Sequence, residues 1–208
     1  YANGEGVPEN DKEAVKWYRK AADQGYVKAQ YNLALMYANG EGVPENDKEA
    51  VKWYRKAADQ GDAMAQQNLG NMYLNGEGVP ENDKEAVKWY RKAADQGLAG
   101  GQYNLGVMYS NGEGVPENYA EAFKWYRKAV DQGYAMAQVN LALMYANGEG
   151  VPENLIRAYL WLSMAKAQGN AVAASNIDIL KPLMTKQQIA QGQALAAKCY
   201  ESNYKDCD

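Results

Sequence analysis

Tyr1 to Gly25 reads YANGEGVPENDKEAVKWYRKAADQG, and the identical 25 residues return at Tyr37 to Gly61. A chain of 208 residues would otherwise be read as one or two compact domains, but internal repetition takes precedence over that prior. The period is 36 throughout: Trp17, Trp53, Trp89, Trp125 and Trp161 are evenly spaced, and so are Pro8, Pro44, Pro80, Pro116 and Pro152.

Each unit contains two helical patterns and two turns. The stretch Asn39-Gly40-Glu41-Gly42-Val43-Pro44 carries residues that accept positive φ or pre-set it, so it reads as a loop. Asn46-Asp47-Lys48-Glu49 follows as an N-cap with Glu three residues on, a capping-box pattern. On the helix it starts, Ala50, Trp53, Tyr54, Ala57 and Ala58 share one apolar arc opposite Glu49, Lys52, Arg55, Lys56 and Asp59. Gly61 ends that helix. A second, shorter helix is predicted from Ala63 to about Leu74, with Ala65, Leu69, Met72 and Tyr73 as its buried stripe. An Asn recurs within it at positions 32, 68, 104, 140 and 176, and reads as a structural residue that satisfies an adjacent turn; the alternative is a ladder that holds a ligand's peptide backbone. Ala34, Gly70, Gly106 and Ala142 keep the helix slim where its partner packs.

Helix pairs this short cannot bury their apolar faces alone, so neighbours must stack. The residues Ala65-x-x-x-Leu69-Gly70-x-x-Tyr73-x-x-Gly76-x-Gly78-Val79, then Ala86-x-x-Trp89-x-x-x-Ala93-Ala94-x-x-Gly97, resemble the Sel1-like repeat. The resemblance covers residues 1–169 and implies an all-α fold, a right-handed α-solenoid of 36-residue helix-turn-helix repeats related to tetratricopeptide arrays. It also implies a bacterial source. One solenoid is expected over 1–208, with 170–208 as its closing segment. Residue 1 falls inside a repeat, which predicts a truncated first copy and a chain cut from a longer protein.

Copies can be compared within the chain, and on the second helix they differ in a pattern. Lys28, Tyr31, Leu35 and Ala38 become Met64, Gln67, Asn71 and Leu74, then Gly100, Tyr103, Val107 and Ser110, then Met136, Val139, Leu143 and Ala146. These positions form a stripe opposite the buried one and, Lys28 apart, carry no charge. The resemblance places this helix on the concave face, so Tyr31, Leu35, Gln67, Asn71, Leu74, Tyr103, Val107, Val139 and Leu143 are the candidate contacts to a protein or peptide partner. The alternative is neutral drift of solvated positions. Trp17, Trp53, Trp89, Trp125 and Trp161, with Gly40, Gly42 and Gly61, read as structural.

Three features concern the end of the array. Ile156, Leu160 and Met164 correspond to Lys48, Lys52 and Lys56, an apolar patch that either a closing helix covers or a dimer uses. Thr185 and Gln188 form a capping-box pattern ahead of Ile189, Ala190, Ala194, Leu195 and Ala197, which supply such a helix. Cys199 and Cys207 permit a short closed loop; free thiols or a redox role are the alternatives, and a disulfide would favour the periplasm or exterior.

The chemistry of enzymes is thinly represented. There is no histidine, and 22 Lys+Arg against 26 Asp+Glu are spread without the basic concentration that nucleic acid requires. No cofactor or metal is expected, nor a membrane-inserted segment. Ser163-Met164-Ala165-Lys166 spells Ser-x-x-Lys, the nucleophile motif of penicillin-recognising enzymes, and some cysteine-rich Sel1-like proteins are associated with penicillin binding. Its companion motifs are missing. A non-enzymatic, monomeric interaction scaffold is therefore the leading reading. The alternatives are a cell-wall-related hydrolase or penicillin-binding activity and a self-assembling structural module.

Overall fold

The computed structural model describes residues 10–202, 204 and 207; the turn around Pro8 and the truncation inferred ahead of Tyr1 lie outside the described residues. The elements are α1 (Asp11–Asp23), α2 (Val27–Asn39), α3 (Asp47–Asp59), α4 (Ala63–Asn75), α5 (Asp83–Asp95), α6 (Ala99–Asn111), α7 (Tyr119–Val130), α8 (Ala135–Asn147), α9 (Leu155–Ala167), α10 (Ala171–Leu180), a 3-10 turn at Lys181–Leu183, and α11 (Lys186–Glu201). No strand occurs among the described residues. The chain is an all-α solenoid of helix pairs, with compact units at Tyr1–Gly101 and Gln102–Asp208.

Odd-numbered α1 to α9 carry the tryptophans and are called Trp helices; even-numbered α2 to α10 carry the recurring asparagine and are called Asn helices. The Asn helices are not the shorter ones: α3 and α4 both have 13 residues. The predicted stop at Leu74 falls one residue early, because Gly76 supplies the left-handed cap and Asn75 stays helical.

At the start of α3, the Asn46 side chain accepts from the Glu49 amide at 3.1 Å, the forward half of a capping box. The return half is not made. Asn46 N–H already donates to the Tyr37 carbonyl at 2.8 Å, and the Glu49 carboxylate pairs with Lys52 at 3.1 Å instead. Gly42 has φ +69, and a Cβ there would lie 2.4 Å from the Asp11 backbone, so the loop closes on the preceding Trp helix only if this residue is glycine.

In the N-terminal unit α3 packs against α2 and α4, and Ala50, Trp53, Tyr54, Ala57 and Ala58 are buried as their spacing predicts. A glutamine pair adds a clip. Gln60 Nε2 donates to Gln30 Oε1 at 2.7 Å, and Gln30 Nε2 donates to the Ala22 carbonyl at 3.1 Å. One buried amide thus ties the end of α1 to the end of α3. Gln66 repeats the device, accepting from Gln96 at 2.7 Å and donating to Ala58 O at 3.0 Å. In the C-terminal unit Gln132 and Gln102 pair at 2.8 Å, and Gln168 and Gln138 at 3.0 Å.

The same unit ends as a cap. α11 lies on α9, where Gly192 lets it approach so closely that a Cβ would meet the Tyr159 ring at 2.8 Å. Thr185 and Gln188 make the full capping box. Leu160 and Met164 are buried, so a dimer surface made of Ile156, Leu160 and Met164 is not available in the folded chain; only Ile156 keeps partial exposure. Cys199 and Cys207 form a disulfide, and Gln168 Nε2 donates to Tyr204 Oη at 3.2 Å, fastening the tail to the end of α9.

Candidate functional site

Along the Asn helices the stripe of non-repeating residues is not uniformly open. In the N-terminal unit the Tyr31 ring packs on Tyr54 at 5.9 Å between centroids, and Asn71 accepts a hydrogen bond from Tyr90 Oη at 2.8 Å. Gln67 occupies space that a side chain at position 100 would need, since a Cβ on Gly100 would lie 2.4 Å from its Oε1. Leu35 and Leu74 are half-buried, and Met64 is 53% exposed.

In the C-terminal unit Tyr103 packs against Tyr126 at 5.9 Å and Tyr134 at 5.3 Å. Val139 is 3% exposed, so its assignment as a partner contact does not hold for the folded chain. Its place lies on the flank where Tyr31 and Tyr103 turn onto the tyrosines of neighbouring Trp helices, and a shorter side chain there is covered. Leu143 by contrast is 39% exposed.

Two cavities adjoin along this face, sharing Leu143 and Asn147. One, about 300 Å³, is predominantly polar and is lined by Tyr103, Val107, Ser110, Tyr126, Asn140 and Glu149 besides the shared pair. The other, about 170 Å³, is apolar and runs between α8, α9 and α10, past Ala142, Leu155, Leu162, Asn176, Ile179 and Leu183. Ile179 and Leu183 are each about two-thirds exposed at 69% and 67%. The sequence reading missed both, although Ile179 lies one further period along the series Leu35, Asn71, Val107, Leu143. Treating residues past 169 as a cap ended the register one helix too soon.

The repeated Asn has a different partner from the one predicted. Asn68 Nδ2 donates to Tyr54 Oη at 3.2 Å and Asn140 Nδ2 to Tyr126 Oη at 3.1 Å, so it holds the tyrosine of the preceding Trp helix and not a turn. Burial pushes the Tyr54 and Tyr126 phenols up to about 12, against the smaller lowering effect of the asparagine bond.

Ser163 and Lys166 lie one turn apart on α9, Ser163 half-buried and Lys166 exposed, with no hydrogen bond between them among the described residues. The repeat accounts for the serine. Arg19 and Arg55 donate to the hydroxyls of Tyr37 and Tyr73, eighteen positions on. The residue eighteen beyond Ser163 is Lys181, which offers an arginine no acceptor.

The Sel1 repeat profile matches residues 1–26, 27–62, 63–98, 99–134 and 135–170. The chain belongs to the Sel1 repeat family. Among solved structures it is similar to a protective antigen present in uropathogenic Escherichia coli strains displaying an SLR fold, at 38% identity and TM-score 0.85 over 100% of this chain. It spans 45% of that antigen's length. A Sel1 repeat protein from Oxalobacter formigenes shares 41% identity at TM-score 0.79, covering 83% of this chain and 71% of that one. An immunity protein from Pseudomonas aeruginosa follows at 26% identity and TM-score 0.52, covering 93% and 74%. No curated protein matches. Sel1 repeats are in general a non-enzymatic interaction fold, and no described helix is long and apolar enough to cross a membrane.

Proposed function

We propose that this Sel1 repeat chain is a non-enzymatic adaptor that holds an extended segment of a partner protein along the Asn-helix face, centred on Tyr103, Val107 and Leu143. The observation that carries the reading is the pair of adjoining cavities, because the non-repeating Tyr103, Val107, Ser110, Leu143, Ala146 and Ile179 reach into them beside repeated residues such as Tyr126, Asn140, Asn147 and Glu149. A polar cavity beside an apolar one suits a peptide, which presents backbone amides and side chains in alternation. Half-buried tyrosine adds rigid contact area with one polar end.

The test is selection from a displayed peptide library against the whole chain, followed by titration of the selected peptide into Val107→Asp and Leu143→Asp, with helicity checked by circular dichroism. Each variant is expected to weaken binding at least tenfold with the fold retained. Unchanged affinity in both would overturn the reading. The Cys199–Cys207 disulfide supports an oxidising compartment, periplasmic or exterior.

A further inference from the structure

The apolar cavity has a cause in the repeat register. Tyr18, Tyr54, Tyr90 and Tyr126 occupy one position of the Trp helices, and in α9 that position is Leu162. Tyr126 shows what belongs there: its ring lies against Gly106 of α6, and its hydroxyl accepts from Asn140 of α8. In the last pair the corresponding walls persist, with Ala142 on α8 and Asn176 on α10, but the side chain between them lacks the ring and the hydroxyl. Leu162 is itself buried at 2% exposure, and beyond it the cavity of about 170 Å³ opens between Leu143, Ile179 and Leu183. Asn176 lines that cavity, is partly accessible, and its side-chain amide has no hydrogen-bond partner among the described residues.

We infer that this vacated tyrosine slot is a binding site for a phenol, the tyrosine side chain of a partner peptide, whose ring enters between Leu143 and Ile179 and whose hydroxyl accepts from Asn176. Two other copies of the repeat supply the template, since Asn68 and Asn140 each hold a tyrosine hydroxyl. The surroundings distinguish this ligand from a charged one. Apolar side chains form most of the lining, and a neutral phenol leaves no unpaired charge there. An aliphatic side chain would fill the slot but leave the asparagine amide unmatched. The inference rests on the groove reading above for the peptide that delivers the side chain, though not for the slot.

The experiment titrates p-cresol and toluene separately into the isotope-labelled full chain and follows amide shifts. p-Cresol is expected to perturb α8, α10 and the Asn176 side-chain amide and to bind about three- to tenfold more tightly than toluene, one hydrogen bond's worth. Asn176→Leu should remove that preference while toluene still binds. Leu162→Tyr should fill the slot from within and abolish both. Equal binding of the two probes to the wild type, shifts confined to other elements, or binding untouched by Leu162→Tyr would each overturn the proposal. Peptides selected on the whole chain are expected to require a tyrosine. Peptides that bind through Val107 and Leu143 without one would refute the slot and leave the groove standing, whereas p-cresol in the slot with no selectable peptide would refute the groove alone.

Discussion

Single residues in this chain divide into those fixed by geometry and those fixed by a partner. Gly42 and Gly61 both have positive φ, at +69 and +94, but only Gly42 has a backbone within reach of a Cβ. Gly61→Ala should therefore cost the left-handed penalty alone, about 1 to 2 kcal/mol, while Gly42→Ala adds a clash and should cost more than twice as much in urea unfolding. The buried tyrosines make a second prediction. With folded phenols near 12 and ordinary values near 10, the native state holds protons that the unfolded chain has released, so this contribution is complete below about pH 10 and is lost as pH rises towards 12. Stability should fall across that window. Absorbance titration near 295 nm should show Tyr54 and Tyr126 ionising after the exposed tyrosines, and loss of the delay in Asn68→Leu would contradict burial as the dominant cause.

At the scale of elements, the glutamine clips and the closing helix decide how pairs hold together. Gln66→Leu leaves the Gln96 amide without its acceptor and takes one donor from the Ala58 carbonyl, which keeps the Gly61 amide, and should cost about 1 to 3 kcal/mol, more than the apolar gain returns. Reduction of Cys199–Cys207, separated by 8 positions, should lower stability by about 2 to 3 kcal/mol on the loop-entropy account, with α11 exchanging its amides first in hydrogen exchange. These elements also show what could be read beforehand. Period, caps and Trp arc were legible because each depends on local chemistry repeated along the array, and the closing helix because its single capping box and apolar residues are local signals too. The glutamine clips were not, because a residue identical in every copy looks like a solvated polar position until its partner, thirty residues away, is seen beside it. Val139 was misassigned because helical periodicity tells which side a residue faces, whereas its burial depends on how the neighbouring helices pack over that side.

Across the whole molecule a repeating frame carries a non-repeating face. Trp packing, glycine turns and capped ends recur because stacking demands the same geometry at each step, so they carry little information about what the chain recognises. Information enters where copies differ: Val107 against Leu143 against Ile179, and Leu162 where a tyrosine belongs. The candidate site was legible only as far as Leu143, since its other half lies on α10, past the last copy with a tryptophan. Hydrogen exchange of the full chain with and without a selected peptide tests the central claim most directly. Protection gained in α6, α8 and α10, with the outer Lys-bearing faces of the Trp helices unchanged, is the predicted result; protection on those outer faces or on α11, with none on the Asn helices, would contradict it.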